Sequence, residues 1–182
     1  YAPSPRDESR NDSVIRLDMN ESPYGPSPKA QAAIAAFVTT NRYPDFDHWE
    51  LRDAIASYTG TTAEQVFCGA GCDDVLNMLA QAVLDTGDEI IISEPTFGVY
   101  RMQANLRGAT TVNVPLTSDF QLDVDGILSA VTDKTKYIII CTPNNPTGNP
   151  LQPADIQRIV DEAPCFVLID EAYSEFAGTS YV

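Results

Sequence analysis

Asn145, Asp170 and Tyr173 are the residues of this chain whose types and spacing could do chemistry. Asn145 lies in Thr142-Pro143-Asn144-Asn145-Pro146-Thr147-Gly148, directly after the apolar run Tyr137-Ile138-Ile139-Ile140-Cys141. Asp170 ends a second apolar run, Phe166-Val167-Leu168-Ile169, about a helix-length later, and opens Asp170-Glu171-Ala172-Tyr173. Two parallel strands would deliver an amide, a carboxylate and a phenol to one carboxyl edge, where open α/β sheets bind ligands. That set suits a pyridine ring carrying a phenolic oxygen. A carboxylate on the ring nitrogen keeps it protonated, so the ring can act as an electron sink, while the amide and phenol hydrogen-bond the phenolate oxygen. A carboxylate that terminates a nearly all-apolar strand also needs a partner, because burying it alone is costly.

The elements that must hold these groups are legible as a pattern. From Val66 onward, strands are expected near 66–68, 89–93, 110–114, 136–141 and 166–170, with helices near 73–85, 97–107, 123–131 and 153–162. Apolar strands alternating with helices of this length predict a mostly parallel sheet flanked by helices. Upstream, residues 1–13 read as a flexible polar arm. Ser27 is placed to cap a helix running to about Thr39, 41–45 is a loop, and apolar spacing predicts a helix over 47–58.

Gly69-Ala70-Gly71-Cys72-Asp73-Asp74 follows the Val66 run and opens an amphipathic helix carrying Val75, Leu76, Leu79, Ala80 and Val83. Glycines at such a turn let backbone N–H groups approach a phosphate, which the helix dipole favours. The two carboxylates could equally cap the helix. A dinucleotide fingerprint fits less well, because Asp74 stands where its third glycine belongs and no acidic residue ends the next strand at the usual distance. Phe97, after the 90–93 strand, is either a ring that stacks on a ligand or plain core packing. Tyr100, three residues on, reads as structural, and Asn144 as a turn residue.

Composition narrows the function further. Twenty-six acidic against 11 basic residues give the 182-residue chain a net charge of −15. Nucleic acid and anionic membrane would repel such a surface, so neither is an expected partner. Without an apolar run near the ~18 residues of a membrane span, the expectation is a cytoplasmic protein. Residues 1–16 are polar, without a signal-peptide core. Cys68, Cys72, Cys141 and Cys165 have neither metal-ligand nor redox spacing and read as reduced thiols. His48 is the only histidine, so neither a metal site nor a histidine-based nucleophilic site is expected.

Asn-Pro-Thr-Gly followed by Asp-Glu-Ala-Tyr resembles the fold-type-I aminotransferases, which depend on pyridoxal 5'-phosphate. Further segments are similar to the histidinol-phosphate aminotransferase branch: Leu17-Asp18-Met19-Asn20-Glu21-Ser22-Pro23-Tyr24-Gly25-Pro26, Arg42-Tyr43-Pro44-Asp45 and Glu94-Pro95-Thr96-Phe97-Gly98-Val99-Tyr100. The resemblance covers about residues 14–182. It implies the fold-type-I α/β architecture, with 1–45 as an N-terminal arm and small-domain or dimer-interface segment. Residues 46–182 would be the amino-terminal part of the large cofactor-binding domain. It further implies that Asp170 meets the ring nitrogen, Asn145 and Tyr173 the phenolic oxygen, and Phe97 a ring face. Gly71, Cys72 and Asp73 would take the phosphate, mainly through backbone amides, since the family often has Asn and Ser where this chain has Ala70 and Cys72. Tyr43 would reach the partner subunit's phosphate site in a homodimer, and Tyr24 would likewise cross to the partner to line its substrate pocket, to which Asn145 also belongs.

Transamination also requires a lysine that forms a Schiff base and shuttles the substrate's α-proton. None of Lys29, Lys134 and Lys136 suits that role: the first sits in the first helix and the others precede the Tyr137 strand. The resemblance places the Schiff-base lysine beyond Val182, so no catalytic residue is expected within this chain, which starts at Tyr rather than Met and reads as incomplete. The implied reaction moves an amino group between histidinol phosphate and the 2-oxo acid 2-oxoglutarate, in histidine biosynthesis. The alternatives are another enzyme of this fold (an aromatic amino acid aminotransferase or a phosphothreonine-type decarboxylase), a catalytically inactive interaction protein, and a nicotinamide dehydrogenase.

Overall fold

A computed structural model describes Ile15 and residues 17–182; the polar arm expected over 1–13 lies outside them. Leu51–Val182 form one compact unit, and the described residues up to Glu50 belong to a second. The smaller unit carries α1 (Pro28–Ala36), with Ser27 at its N-cap. The Ser27 side chain makes no capping bond; its carbonyl accepts from Gln31 N–H instead.

The larger unit begins within α2 (Trp49–Thr59) and continues through a single 3-10 turn (Ala63–Gln65) to α3 (Cys72–Val83), β1 (Glu89–Ile92), α4 (Val99–Leu106), β2 (Thr110–Asn113), α5 (Val124–Ser129), β3 (Thr135–Cys141), α6 (Pro153–Glu162), β4 (Phe166–Asp170) and the short α7 (Ser174–Ala177). The strand expected at 66–68 does not form. Val66 is extended, but no ladder reaches it among the described residues, and an extended apolar run without a partner is not a strand.

All pairings are parallel, in the spatial order β2-β1-β3-β4. Each crossover between consecutive strands is made by a helix, as parallel pairing requires. Because β2 lies on one side of β1 and β3 on the other, the chain reverses direction across the sheet there. The connections that leave β1 and β3 therefore diverge, and a crevice opens between the two carboxyl ends.

Strand periodicity sorts the side chains into two layers. Ile90, Ile92, Tyr137, Ile139 and Cys141 pack with Leu76 and Ala80 of α3 and Val99, Tyr100 and Ala104 of α4. Ile91, Ile138 and Ile140 pack with Val124 and Ile127 of α5 and Ile156 and Ile159 of α6. Burial on both faces is why β1 and β3 read as unbroken isoleucine runs rather than alternating ones. In β4, Leu168 joins the first layer and Val167 and Ile169 the second. Asp170, two residues past Leu168, therefore faces the α3/α4 side, level with its register partner Cys141.

Candidate functional site

Asp170 is 8% exposed at the end of β4. Its Oδ2 accepts from Tyr100 Oη at 2.6 Å and from Cys72 Sγ at 3.5 Å. Its Oδ1 accepts from the Ala172 N–H at 3.0 Å. Both side-chain donors come from the helices that cover this face, α3 through Cys72 and α4 through Tyr100. Tyr100, expected to be structural, is thus a direct partner of the carboxylate. Burial first, and then the neighbouring Cys141 and Asp170, push its hydroxyl far above the ordinary tyrosine range, so it keeps the proton it donates. The Cys72 residue is exposed, yet partial burial of its sulfur, followed by the charge and hydrogen bond of Asp170, pushes its thiol up to about 12.

The connections after β1 and β3 meet in the crevice through Asn144. Its Nδ2 donates to the Pro95 carbonyl at 2.9 Å and to Thr147 Oγ1 at 2.7 Å, and its Oδ1 accepts from Thr96 Oγ1 at 2.9 Å. Asn144 does close the 142–149 turn, whose backbone it pins by accepting from Gly148 N–H and donating to the Asn149 carbonyl. In addition it ties that turn to the segment bearing Phe97, a contact that turn chemistry alone does not predict. Asn145 follows directly and is half-buried. The turn is also held level with β4, because Thr142 N–H donates to the Asp170 carbonyl at 2.9 Å.

Phe97 is half-buried against the first core layer and meets Tyr100 edge to face, with centroids 5.7 Å apart. Phe97, Tyr100, Asp170 and Cys72 thus form one contiguous group. Tyr173 stands at the N-cap of α7, its ring 6.4 Å from that of Phe176. Glu171, beside Asp170, accepts instead from Ser180 Oγ and Tyr181 N–H, outside this group.

Gly71 caps α3 with φ +86°, a conformation that a residue with a side chain rarely adopts. Among the described residues other than its chain neighbours, none places an atom within 4 Å of where its Cβ would stand, so the start of α3 is open above the glycine. Asp74 turns back to accept from the Ala70 N–H at 2.8 Å, so one of the two carboxylates does serve the turn. Gly71, Cys72 and Asp73 occupy the N-cap and first two positions of α3; the Gly71 N–H donates to the Gly69 carbonyl at 2.9 Å, so the amides that point outward there are those of Cys72 and Asp73. Tyr24 and Tyr43 belong to the smaller unit and are 92% and 90% exposed there.

A parallel sheet with its crevice at the β1/β3 reversal, a buried strand-end carboxylate and an open glycine-capped helix start define a ligand-binding α/β domain. The chain belongs to the aminotransferases of class I and II, the family model of that description matching residues 12–181. It is 46% identical to the histidinol-phosphate aminotransferase of Roseiflexus castenholzii over 93% of this chain and 47% of that protein. With that of Methanococcoides burtonii it shares 47% identity over 91% of this chain and 46% of the relative. The histidinol-phosphate aminotransferase of Sinorhizobium meliloti, solved in complex with pyridoxal 5'-phosphate, superimposes with a TM-score of 0.76 at 29% identity, covering 86% of this chain and 44% of that one. The chain spans about half the length of the curated relatives it matches. Among the described residues, no helix is long and apolar enough to cross a membrane.

Proposed function

We propose that this chain supplies the cofactor cradle of a pyridoxal 5'-phosphate-dependent aminotransferase acting on histidinol phosphate and 2-oxoglutarate. The observation that carries the proposal is the buried Asp170 carboxylate, with protein donors at three of its roughly four acceptor positions. One more donor fits, and a single ring N–H is such a donor. Further support comes from the relatives, which are named histidinol-phosphate aminotransferases.

Bound pyridoxal phosphate supplies a protonated pyridine that withdraws electrons from the substrate's α-carbon. In this proposal Asp170 holds the proton at the ring nitrogen, and Asn145 and Tyr173 hold the phenolic oxygen. Phe97 covers a ring face and excludes water, and is braced by its T-shaped contact with Tyr100. The first amides of α3, at Cys72 and Asp73, hold the phosphate with help from the helix dipole, and Gly71 leaves the approach to them open. Tyr43 contributes to the phosphate site of the partner subunit in a homodimer, and Tyr24 likewise crosses to the partner to line its substrate pocket, to which Asn145 also belongs. Residues 1–45 act as arm and interface segment and 46–182 as part of the cofactor domain of a cytoplasmic enzyme.

The test is an amino-transfer assay on the protein as produced from its own gene, with histidinol phosphate, phenylalanine and threonine phosphate as competing donors to 2-oxoglutarate. Preference for histidinol phosphate is expected. Equal or better turnover of an aromatic donor would reassign the substrate, and failure to take up pyridoxal phosphate would reject the cofactor.

A further inference from the structure

We infer that Tyr100 is a positioning residue for Asp170, its buried hydroxyl fixing the carboxylate so that a single acceptor direction, on Oδ1, is left for the ligand. This rests on the function proposed above. The inference starts from the donors around the carboxylate. Oδ2 receives both Tyr100 Oη at 2.6 Å and Cys72 Sγ at 3.5 Å, which exhausts its two lone-pair directions. Among the described residues, Oδ1 receives only the Ala172 N–H, at 3.0 Å. An incoming N–H therefore meets one oxygen, in one direction.

The two donors on Oδ2 differ in quality. The Tyr100 contact is short and aimed from a helix whose neighbouring residues Val99 and Ala104 are locked in the core. A thiol is a weak donor at a longer distance. Tyr100 is thus the group that sets the rotation of the carboxylate, with Cys72 as its auxiliary. Hydrogen bonds donated to a carboxylate also favour its charged form. In a shared N–H···O pair they keep the proton on the nitrogen, where the electron-withdrawing ring needs it. Tyr100 itself touches neither substrate nor reacting atoms; it acts through Asp170.

The experiment uses the protein as produced from its own gene as the parent, loads it and its Tyr100→Phe and Cys72→Ala variants with pyridoxal 5'-phosphate labelled with 15N in the ring, and records the ring-nitrogen resonance across pH together with steady-state kinetics. In Tyr100→Phe the resonance should move toward the unprotonated position at a pH where the parent remains protonated. Turnover should fall about tenfold, with KM for the amino donor within about twofold, as expected for loss of one charge-assisted hydrogen bond felt mainly in the transition state. Cys72→Ala should shift both readouts in the same direction by less. A Tyr100→Phe protein that binds the cofactor and matches the parent in resonance and turnover would overturn the inference alone. A parent protein that takes up no pyridoxal phosphate would overturn the underlying function and this inference with it.

Discussion

Thr96 and Asn144, 48 residues apart, are joined by a 2.9 Å hydrogen bond from the threonine hydroxyl to the amide oxygen. With the Asn144 bonds to Pro95 and Thr147, this clamps the segments that leave β1 and β3 at the point where the sheet reverses. Asn144 is 4% exposed, and its removal breaks three side-chain hydrogen bonds at once and leaves a space where a buried amide stood. Asn144→Ala should cost about 2 kcal/mol, lowering the melting temperature by roughly 4–8 °C. It should also weaken cofactor affinity, since Phe97 and Asn145 are then no longer held together. A melting curve with a cofactor titration checks both, and a variant that melts with the parent would show that the clamp is not formed.

Asp170→Asn should abolish most turnover while leaving a folded protein. The amide cannot keep a positive charge on the ring nitrogen, and a loss of ~3–5 kcal/mol in the transition state corresponds to a roughly 100- to 5,000-fold slower reaction. Folding is not untouched, because an amide presents a single acceptor oxygen to the three donors from Tyr100, Cys72 and Ala172. A destabilisation of about 1 kcal/mol is expected from the one bond that is lost or reversed. Single-turnover kinetics beside a thermal melt measure the two effects; turnover within a few-fold of the parent would remove Asp170 from the ring nitrogen.

Cys72 should alkylate slowly although it is an exposed residue. Its thiol is pushed up to about 12, so at pH 8 only ~0.01% is the reactive thiolate, and the rate should rise about tenfold per pH unit up to pH 10. Asp170→Asn removes the adjacent negative charge and lowers that value, so the variant should react faster at every pH below it. Timed iodoacetamide labelling with peptide mass analysis gives the rates. A parent as fast as a free thiol, or a variant no faster than the parent, contradicts this electrostatic account.

The complete protein is expected to be a homodimer with Tyr43 at the interface. Tyr24, Val38, Tyr43 and Phe46 are all exposed apolar or aromatic side chains in the smaller unit, available to a partner subunit. Tyr43→Phe should weaken cofactor affinity without dissociating the dimer. Sedimentation together with cofactor titration tests it, and a stable, active monomer would refute it.

The polypeptide of residues 1–182 by itself should show no amino transfer. Lys134 and Lys136 stand at the amino end of β3, where Lys136 pairs with Asp88 at 3.4 Å. At ~3.3 Å per residue, β3 separates them from the Asn145 end by roughly 20 Å. Lys29 lies on α1 in the smaller unit. Turnover by the purified 182-residue polypeptide would show that one of these lysines can act.

Much of this arrangement is local enough to be legible in the chain. The isoleucine runs and the polar residues that end them mark β3 and β4, and β4 and α6 fall at their expected bounds. What escaped is non-local. Tyr100 and Asp170 are 70 residues apart, and only the pairing of β4 with β3 beneath α4 brings them within 2.6 Å. Periodicity assigns Tyr100 to a buried helical face, which is true, but cannot say that its hydroxyl finds a carboxylate there. Asn144 was hidden for the opposite reason, since its turn role is sufficient to account for it. The 66–68 segment has strand composition without a strand partner, and propensity alone does not supply one.

Cys141 and Asp170 end their strands in register and on the same face, and this ties the site to a count of residues rather than to their kind. Insert or delete one residue within β4 and the strand can still pair with β3 and stay apolar, yet the carboxylate turns toward the α5/α6 layer, away from Tyr100 and Cys72. Exchanging one aliphatic residue for another in β3 or β4 costs about 0.5–1.5 kcal/mol of packing but leaves the carboxylate on the same face. A change of length within α3 or α4 would likewise turn Cys72 or Tyr100 away from the carboxylate, which leaves the connections at the amino edge as the places where residues can be added without moving the site. The position of the carboxylate thus depends on the residue count of the strand more than on which aliphatic residues fill it.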